Sequence, residues 1–147
     1  MDKQAIIKRI MEEQEGIIKS LDKVIKLYKT TADIDEDNTL DPEDYSHQAE
    51  AQEMRLRYEQ RLKGEQQKLS FLESSLHITT DIVKSGALIE TDLYYFFIGL
   101  SIHPIKMDAK QILCVSEKAP VAQQLMGKQV GDFVTIGDKE IEIKDIK

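Results

Sequence analysis

The chain has 147 residues, of which 41% are hydrophobic and 32% are charged, and its formal net charge at neutral pH is −7. This composition is typical of a folded, highly soluble protein and argues against wholesale disorder. One acidic segment, residues 33–44, contains seven carboxylates and no basic residue, so it alone equals the net charge and leaves the remaining chain neutral. A neutral remainder argues against non-specific wrapping around nucleic acid, because that requires a basic surface.

The first thirty or so residues carry the pattern of a coiled-coil helix. Over residues 2–31, apolar side chains recur in alternating steps of three and four, which is the spacing of a coiled-coil seam. The seam consists of Ile7, Ile10, Ile17, Leu21, Val24 and Tyr28, with Gln14 in its one polar position. Gly16 lies within the pattern and costs about 1 kcal/mol of helix stability relative to alanine. We predict one long helix over this segment.

A second seam of the same kind covers residues 45–76. Its members are Ala51, Tyr58, Leu62, Leu69, Leu72 and Leu76, with Arg55 and Glu65 in the intervening positions. Pro42 argues for a break before this helix, because proline lacks a backbone donor and restrains the residue before it. Asp44 or Ser46 is predicted to cap the helix.

Two helices of matching length, joined by about a dozen residues, predict an antiparallel hairpin. We assign residues 1–77 to this coiled coil, with residues 33–44 at its tip, and we expect its base to pack against the C-terminal domain. Residues 78–147 form that second predicted domain.

The C-terminal part has the pattern of a small β domain. Strands are predicted by apolar or alternating runs at residues 87–91, 94–100, 111–115, 133–136 and 139–143. Residues 120–126 are predicted to form a short helix ended by Gly127, and Gly137 with Asp138 a hairpin turn. The predicted fold class is therefore α+β: an antiparallel coiled-coil hairpin followed by a mostly antiparallel β domain with one short helix.

Residue types associated with catalysis are scattered. His47, His77 and His103 are far apart in the sequence, and His103 lies in a predicted loop. Cys114 is the single cysteine and lies among apolar residues, so it is interpreted as a buried strand residue. The aromatic residues 94–97 are interpreted as sheet core. The chain begins without the apolar core of a signal peptide and has no apolar run that could cross a bilayer, so we expect a cytoplasmic protein.

The acidic segment admits three hypotheses. It is a solvated loop that keeps the tip soluble, a calcium loop, or a group of carboxylates delivered to a metal that a partner holds. The residues that occupy the ligand positions of an EF-hand loop are Asp33, Asp35, Asp37, Thr39, Asp41 and Asp44. Asn38 replaces the glycine of that pattern, and Asp44 replaces its bidentate glutamate. Clustered carboxylates equally suit Mg²⁺, which prefers oxygen ligands.

Residues 115–132 resemble the signature of the bacterial Gre-type transcription elongation (transcript-cleavage) factors. The positions that match its Ser-x-x-Ser-Pro-x-Ala-x-x-Leu-x-Gly-x-x-x-Gly-Asp pattern are Ser116, Pro120, Ala122, Leu125, Gly127, Gly131 and Asp132. Residues 83–89 resemble the opening strand region of the family. An N-terminal coiled coil before a small sheet domain is also the family's layout, so the resemblance covers nearly the whole chain.

The resemblance implies an FKBP-like C-terminal domain that docks on RNA polymerase at the rim of its secondary channel. The coiled coil would then insert toward the catalytic Mg²⁺ and modulate the cleavage of backtracked RNA. The protein would be an accessory factor and not an enzyme. It would be a monomer that has no tightly bound cofactor, does not bind membranes and contacts nascent RNA only indirectly.

Asp37 and Asp41 are the predicted contacts with the polymerase Mg²⁺. The auxiliary acidic residues of the tip are Asp33, Asp35, Glu36, Glu43 and Asp44. The predicted polymerase-docking residues are Ser116, Lys118, Ala119 and Pro120.

The tip departs from the family's Asp-x-x-Glu-Asn pattern before a tyrosine. Alignment on Tyr45 places Asp41 at the glutamate, Pro42 at the asparagine and Asn38 at the aspartate. Some Gre relatives with aspartate-rich tips inhibit polymerase, so stimulation and inhibition both stay open. The alternatives from other classes are a calcium-binding EF-hand-like module and a coiled-coil interaction protein without polymerase activity.

Overall fold

The computed structural model describes residues 1–32 and 42–147. In chain order, the elements are α1 (Lys3–Ala32), α2 (Pro42–Ser75), β1 (Leu88–Thr91), β2 (Tyr94–Ile98), β3 (Ile102–Met107), β4 (Lys110–Val115), α3 (Pro120–Leu125), β5 (Phe133–Ile136) and β6 (Lys139–Ile146). This composition of two long helices, a sheet and one short helix confirms the predicted α+β class.

The chain divides into two compact units by its internal contacts. Residues 1–13 and 70–147 form the sheet unit, and residues 14–69 form the hairpin unit. The ends of both long helices therefore belong to the same unit as the sheet.

Both long helices were predicted by the seam pattern, and the structure differs at the start of the second. Helix α2 begins at Pro42, three residues before the predicted start, and Asp44 lies in its first turn. The prediction that Asp44 or Ser46 caps this helix is therefore wrong. Proline is favourable at the first helical position, because the N–H that it lacks would have no partner within the helix.

Within residues 1–32 and 42–147, neither long helix contains an apolar stretch of the length and purity that spanning a bilayer requires.

The sheet has the strand order β3-β4-β2-β1-β6-β5. Pairing in the described chain is antiparallel except between β2 and β4, which run parallel with Phe96 opposite Leu113. The strands predicted from apolar runs correspond to β1, β2, β4, β5 and β6, and the short helix corresponds to α3. Gly137 has φ +61° and lies in the turn between β5 and β6, as predicted.

The structure contains one strand that the sequence pattern does not predict. His103 and Pro104 lie in β3, so the predicted loop at His103 is wrong. The register of β3 against β4 shifts between Ile102 and Ile105, and β3 is an edge strand. Proline is tolerated at such an irregularity on an edge, because no ladder hydrogen bond is lost there.

The sheet is buried on both faces. Successive residues of a strand point to opposite faces, and they belong to two different core clusters. One cluster joins Ile89, Phe96 and Ile98 to Ala122 and Leu125. The other joins the opposite face to the ends of the helices through Ile6, Ile7, Ile10, Leu72, Leu88, Phe97, Leu100, Ile105, Ile112 and Cys114. This second cluster confirms the expected packing of the coiled-coil base on the β domain. Phe96 and Phe97 are fully buried, which confirms them as sheet core, whereas Tyr94 and Tyr95 are half-buried at the margins of the two clusters.

Candidate functional site

The pairing of α1 with α2 within the hairpin unit defines the direction of the two helices. Gln14 Nε2 donates hydrogen bonds to the backbone oxygen of Glu65 at 2.9 Å and to its Oε2 at 2.6 Å. Further along, the rings of Tyr28 and Tyr58 stack with centroids 5.7 Å apart. The contacting residue in α2 has a lower number, 58 against 65, where the residue in α1 has a higher one, 28 against 14. The helices are therefore antiparallel, as predicted.

The antiparallel arrangement brings Ala32 and Pro42 to the same end of the hairpin unit. Residues 33–41 connect these two positions in the chain. The described residues that flank positions 33–41 therefore lie at the end opposite to the Gln14–Glu65 pair.

Most of the predicted metal-contacting acids fall in that connection. The residues that lie outside the described part of the chain are Asp33, Asp35, Glu36, Asp37 and Asp41. Glu43 and Asp44 lie in the first turn of α2 and are exposed. Carboxylates there interact favourably with the positive end of the helix dipole. Among the described residues, no group of three or more histidine, cysteine or acidic side chains could hold a metal ion.

The predicted docking residues form one continuous turn between β4 and α3. The N–H of Ala119 donates to the backbone oxygen of Ser116 at 3.0 Å and closes this turn. Ala119 has an extended conformation, and Pro120 opens α3. Lys118 and Pro120 are exposed, whereas Ser116 and Ala119 are half-buried. The turn thus presents two exposed charges of opposite sign, Glu117 and Lys118, beside a proline.

The later signature residues have identifiable structural roles. Ala122 and Leu125 are fully buried against the sheet. Gly127 has φ +78°, a conformation that favours glycine, and its N–H donates to the backbone oxygen of Val83 at 2.9 Å. This glycine turns the chain at the end of α3 and ties it to the segment before β1.

The last two signature residues shape the approach to β5. Gly131 has φ +91°, and its N–H donates to the backbone oxygen of Ile143 at 2.9 Å. Asp132 Oδ2 accepts the N–H of Gln129 at 2.8 Å. Because each of these residues has a local structural role, the signature specifies the turns around α3.

The remaining chemically versatile side chains do not form a catalytic arrangement. Burial raises the pKa of the Cys114 thiol to about 12, so the thiolate that a nucleophile requires is disfavoured. His103 is 59% exposed, and its Nε2 lies 3.3 Å from Glu13 Oε2. A hydrogen bond from Arg9, 2.7 Å long, is the main cause of the lowered pKa of Glu13. These contacts stabilise the surface of the sheet unit.

The structure reveals a buried lysine that the sequence interpretation omits. Lys3 is 6% exposed. Its Nζ donates to the backbone oxygens of Ile78, Gly86 and Lys147. The signal for its burial is present in the sequence, because Lys3 lies four residues before Ile7 and so continues the seam by one step. The residue type argues against burial, since lysine is rarely buried without partners.

The comparisons with known proteins find similarity among solved structures only. No protein-family model matches the chain, and no curated protein matches it. Among solved structures, the crystal structure of GreA factor homolog 1 of Thermus thermophilus is similar over 98% of this chain and 94% of that chain, with 15% sequence identity and a TM-score of 0.35. A likeness of this size carries no argument about what this chain does.

Proposed function

We propose that this protein regulates transcription elongation by binding RNA polymerase and presenting the carboxylates of residues 33–44 to the polymerase active site through its secondary channel. It acts as an accessory factor that changes the cleavage of backtracked RNA, and the chemistry belongs to the polymerase. The observation that carries the proposal is the antiparallel pairing of α1 and α2. That pairing puts Ala32 and Pro42, the described residues on either side of positions 33–41, at one end of the hairpin.

A concentration of negative charge at one end of a hairpin suits a binding site that already contains a cation. Asp37 and Asp41 are the proposed contacts, since their carboxylate oxygens match the ligand preference of Mg²⁺. The polymerase would supply the ion, which when bound activates water and stabilises the oxygens of the transferred phosphoryl group. The contribution of this chain is to position carboxylates. Glu43 and Asp44 add negative charge on the first turn of α2.

The turn from Ser116 to Pro120 is the proposed docking element. Its backbone is closed by the hydrogen bond between Ala119 and Ser116, so its shape does not depend on a partner. Lys118 provides the positive charge of this turn, and Glu117 provides the negative charge. An acidic surface on the polymerase would complement that lysine.

The central experiment compares the double variant Asp37→Asn/Asp41→Asn with the unaltered protein on purified polymerase stalled in a backtracked complex. The rate of transcript cleavage is measured with increasing amounts of each protein. We expect the double variant to lose most of the effect on cleavage, whether that effect is stimulation or inhibition, while its affinity for polymerase changes by less than threefold.

A matched control separates position from net charge. The variant Glu15→Gln/Glu50→Gln removes the same two charges from exposed positions on α1 and α2. This control should behave like the unaltered protein. The proposal is wrong if the Asp37/Asp41 variant retains the full effect on cleavage. An equal loss in both variants would also contradict it, because overall charge would then explain the activity.

Docking is tested separately by charge reversal at Lys118. We expect Lys118→Glu to weaken polymerase binding by about tenfold, which corresponds to about 1.4 kcal/mol. Lys139→Glu makes the same change at an exposed position at the start of β6 and should leave binding unchanged. Equal affinities for the two variants would refute the assignment of the docking turn and leave the role of the acidic segment to the cleavage assay.

A further inference from the structure

Two glycines lie within the paired helices at nearly the same level of the hairpin unit. Gly16 follows Gln14 by two residues, and Gly64 precedes Glu65 by one residue. Gln14 and Glu65 contact each other directly. At a rise of about 1.5 Å per residue, both glycines lie within about 3 Å of that pair along the axis. They lie on the same side of it, toward the acidic segment.

Neither glycine is required by the packing of the described residues. Apart from the backbone of its own helix and its chain neighbours, a Cβ atom built on Gly16 or Gly64 would have no atom within 4 Å. Neither has a positive φ, unlike the glycines in the turns of the sheet unit. In a helix interior, glycine is about 1 kcal/mol less stable than alanine. At about 1.36 kcal/mol per factor of ten, this difference raises the equilibrium constant for helix opening about fivefold. Both glycines are exposed, and their effect is to weaken each helix beside the Gln14–Glu65 contact.

The interior of the hairpin is polar at this level. Gln14 is fully buried and Glu65 is 9% exposed, whereas apolar side chains such as Leu21 and Ala51 fill the seam elsewhere in the hairpin unit. Gln14 Nε2 uses its donors on Glu65, but its Oε1 is buried and has no donor among the described residues. An unpaired buried carbonyl oxygen favours any state that admits water.

We propose that the Gln14–Glu65 level is a built-in opening point of the hairpin. There the two helices open together transiently, water reaches Gln14 Oε1, and the outer helical segments, residues 17–32 and 42–63, can change direction relative to the pair. This inference does not depend on the proposed function, since it concerns the mechanics of the hairpin alone.

The test is native-state hydrogen exchange on the full chain, under conditions in which exchange reports the opening equilibrium. We expect amides 14–18 and 62–66 to exchange at least tenfold faster than amides 20–24 and 55–60, which lie nearer the acidic segment. Simple fraying from the end of the hairpin gives the reverse order. A reverse or uniform order would overturn the proposal.

Single substitutions test whether the helices open together. Gly16→Ala should slow exchange about fivefold in residues 14–18 and also in residues 62–66 of the other helix. The variant Gly16→Ala/Gly64→Ala should slow both segments about 25-fold. The control Ser20→Ala, at an exposed position of α1, should leave residues 62–66 unchanged within twofold. If Gly16→Ala affects only its own helix, coupled opening is refuted.

The unpaired oxygen is tested by an apolar replacement of the pair. Gln14→Leu/Glu65→Leu removes the buried polar groups while keeping side chains of similar size. Exchange in residues 14–18 and 62–66 should then slow at least tenfold with both glycines still present. Unchanged exchange would mean that the polar pair has no part in the opening.

Discussion

Replacing Lys3 by methionine tests how the start of α1 is held within the sheet unit. Lys3 Nζ donates to the backbone oxygens of Ile78 at 2.7 Å, Gly86 at 3.0 Å and Lys147 at 2.9 Å. The methionine side chain has a similar length but donates no hydrogen bond, so the oxygens of Ile78 and Gly86 lose this donor, whereas that of Lys147 keeps the N–H of Leu88 at 2.9 Å. A buried acceptor without a partner costs about 1–3 kcal/mol. Two of the three bonds are only partly buried, so water can replace them. The buried Gly86 oxygen then dominates, and we expect a destabilisation of about 1–3 kcal/mol at pH 7.

The same residue predicts how stability depends on pH. Burial, with a smaller contribution from the positive charge of Lys84, lowers the pKa of Lys3 to about 8. Between about pH 8 and the ordinary value of 10.5, the folded state binds fewer protons at this site than the unfolded state does. The free energy of unfolding therefore rises with pH across that window. This rise in the free energy of unfolding is at most about 3 kcal/mol. The three carbonyl oxygens around Lys3 Nζ make the rise smaller, because they stabilise the ammonium form.

The measurement is urea unfolding followed by circular dichroism at pH 7 and pH 10. Comparison with the Lys3→Met variant at each pH cancels the titration of the other groups. We expect the difference in unfolding free energy to grow between the two pH values. Lys8→Met, at an exposed position in the same helix, should change stability by less than about 0.5 kcal/mol. A difference near zero at pH 7 would refute the structural role of the three hydrogen bonds, and a difference independent of pH would refute the lowered pKa.

Three further substitutions or treatments examine the core of the sheet unit. Gly99→Ala should destabilise the protein by about 3 kcal/mol in urea unfolding. The reason is that Gly99 has φ +129° and that an added Cβ would lie 2.5 Å from the ring of Phe71. A stability within about 0.5 kcal/mol of the unaltered protein would contradict that close approach. Leu72→Ala should cost about 2–5 kcal/mol through the cavity it leaves, since Leu72 is fully buried, and a smaller loss by the same measurement would mean that the core closes over the site. Cys114 should react with a thiol reagent at pH 8 only after denaturant is added, because its pKa is raised to about 12 by burial; labelling of the folded protein at the rate of a free thiol would show that β4 is accessible.

Local patterns in the sequence were sufficient to predict the long helices and most strands. A seam repeats every few residues, so the burial of Ile7, Ile10 and Leu72 could be inferred without knowing what covers them. Gly127 and Gly131 were recognised through the signature, and their positive φ values explain why glycine is needed there. For the candidate site, the resemblance located the turn from Ser116 to Pro120. The metal contacts Asp37 and Asp41 remain a prediction from composition and resemblance.

Features that depend on neighbours distant in the sequence could not be predicted in this way. Strand β3 contains Pro104, which argues against a strand until its position at the sheet edge is known. The parallel pairing of β2 with β4 joins strands separated by β3 in the chain, and no local pattern specifies that choice.

The sequence by itself determined the helical periodicity, the alternating strands and the concentration of carboxylates between the two helices, because each is a property of neighbouring residues. The tertiary structure alone decided that Lys3 is buried, since its hydrogen-bond acceptors lie 75, 83 and 144 residues away along the chain. A charged side chain is stable in the interior only where such partners converge, and that convergence is created by folding.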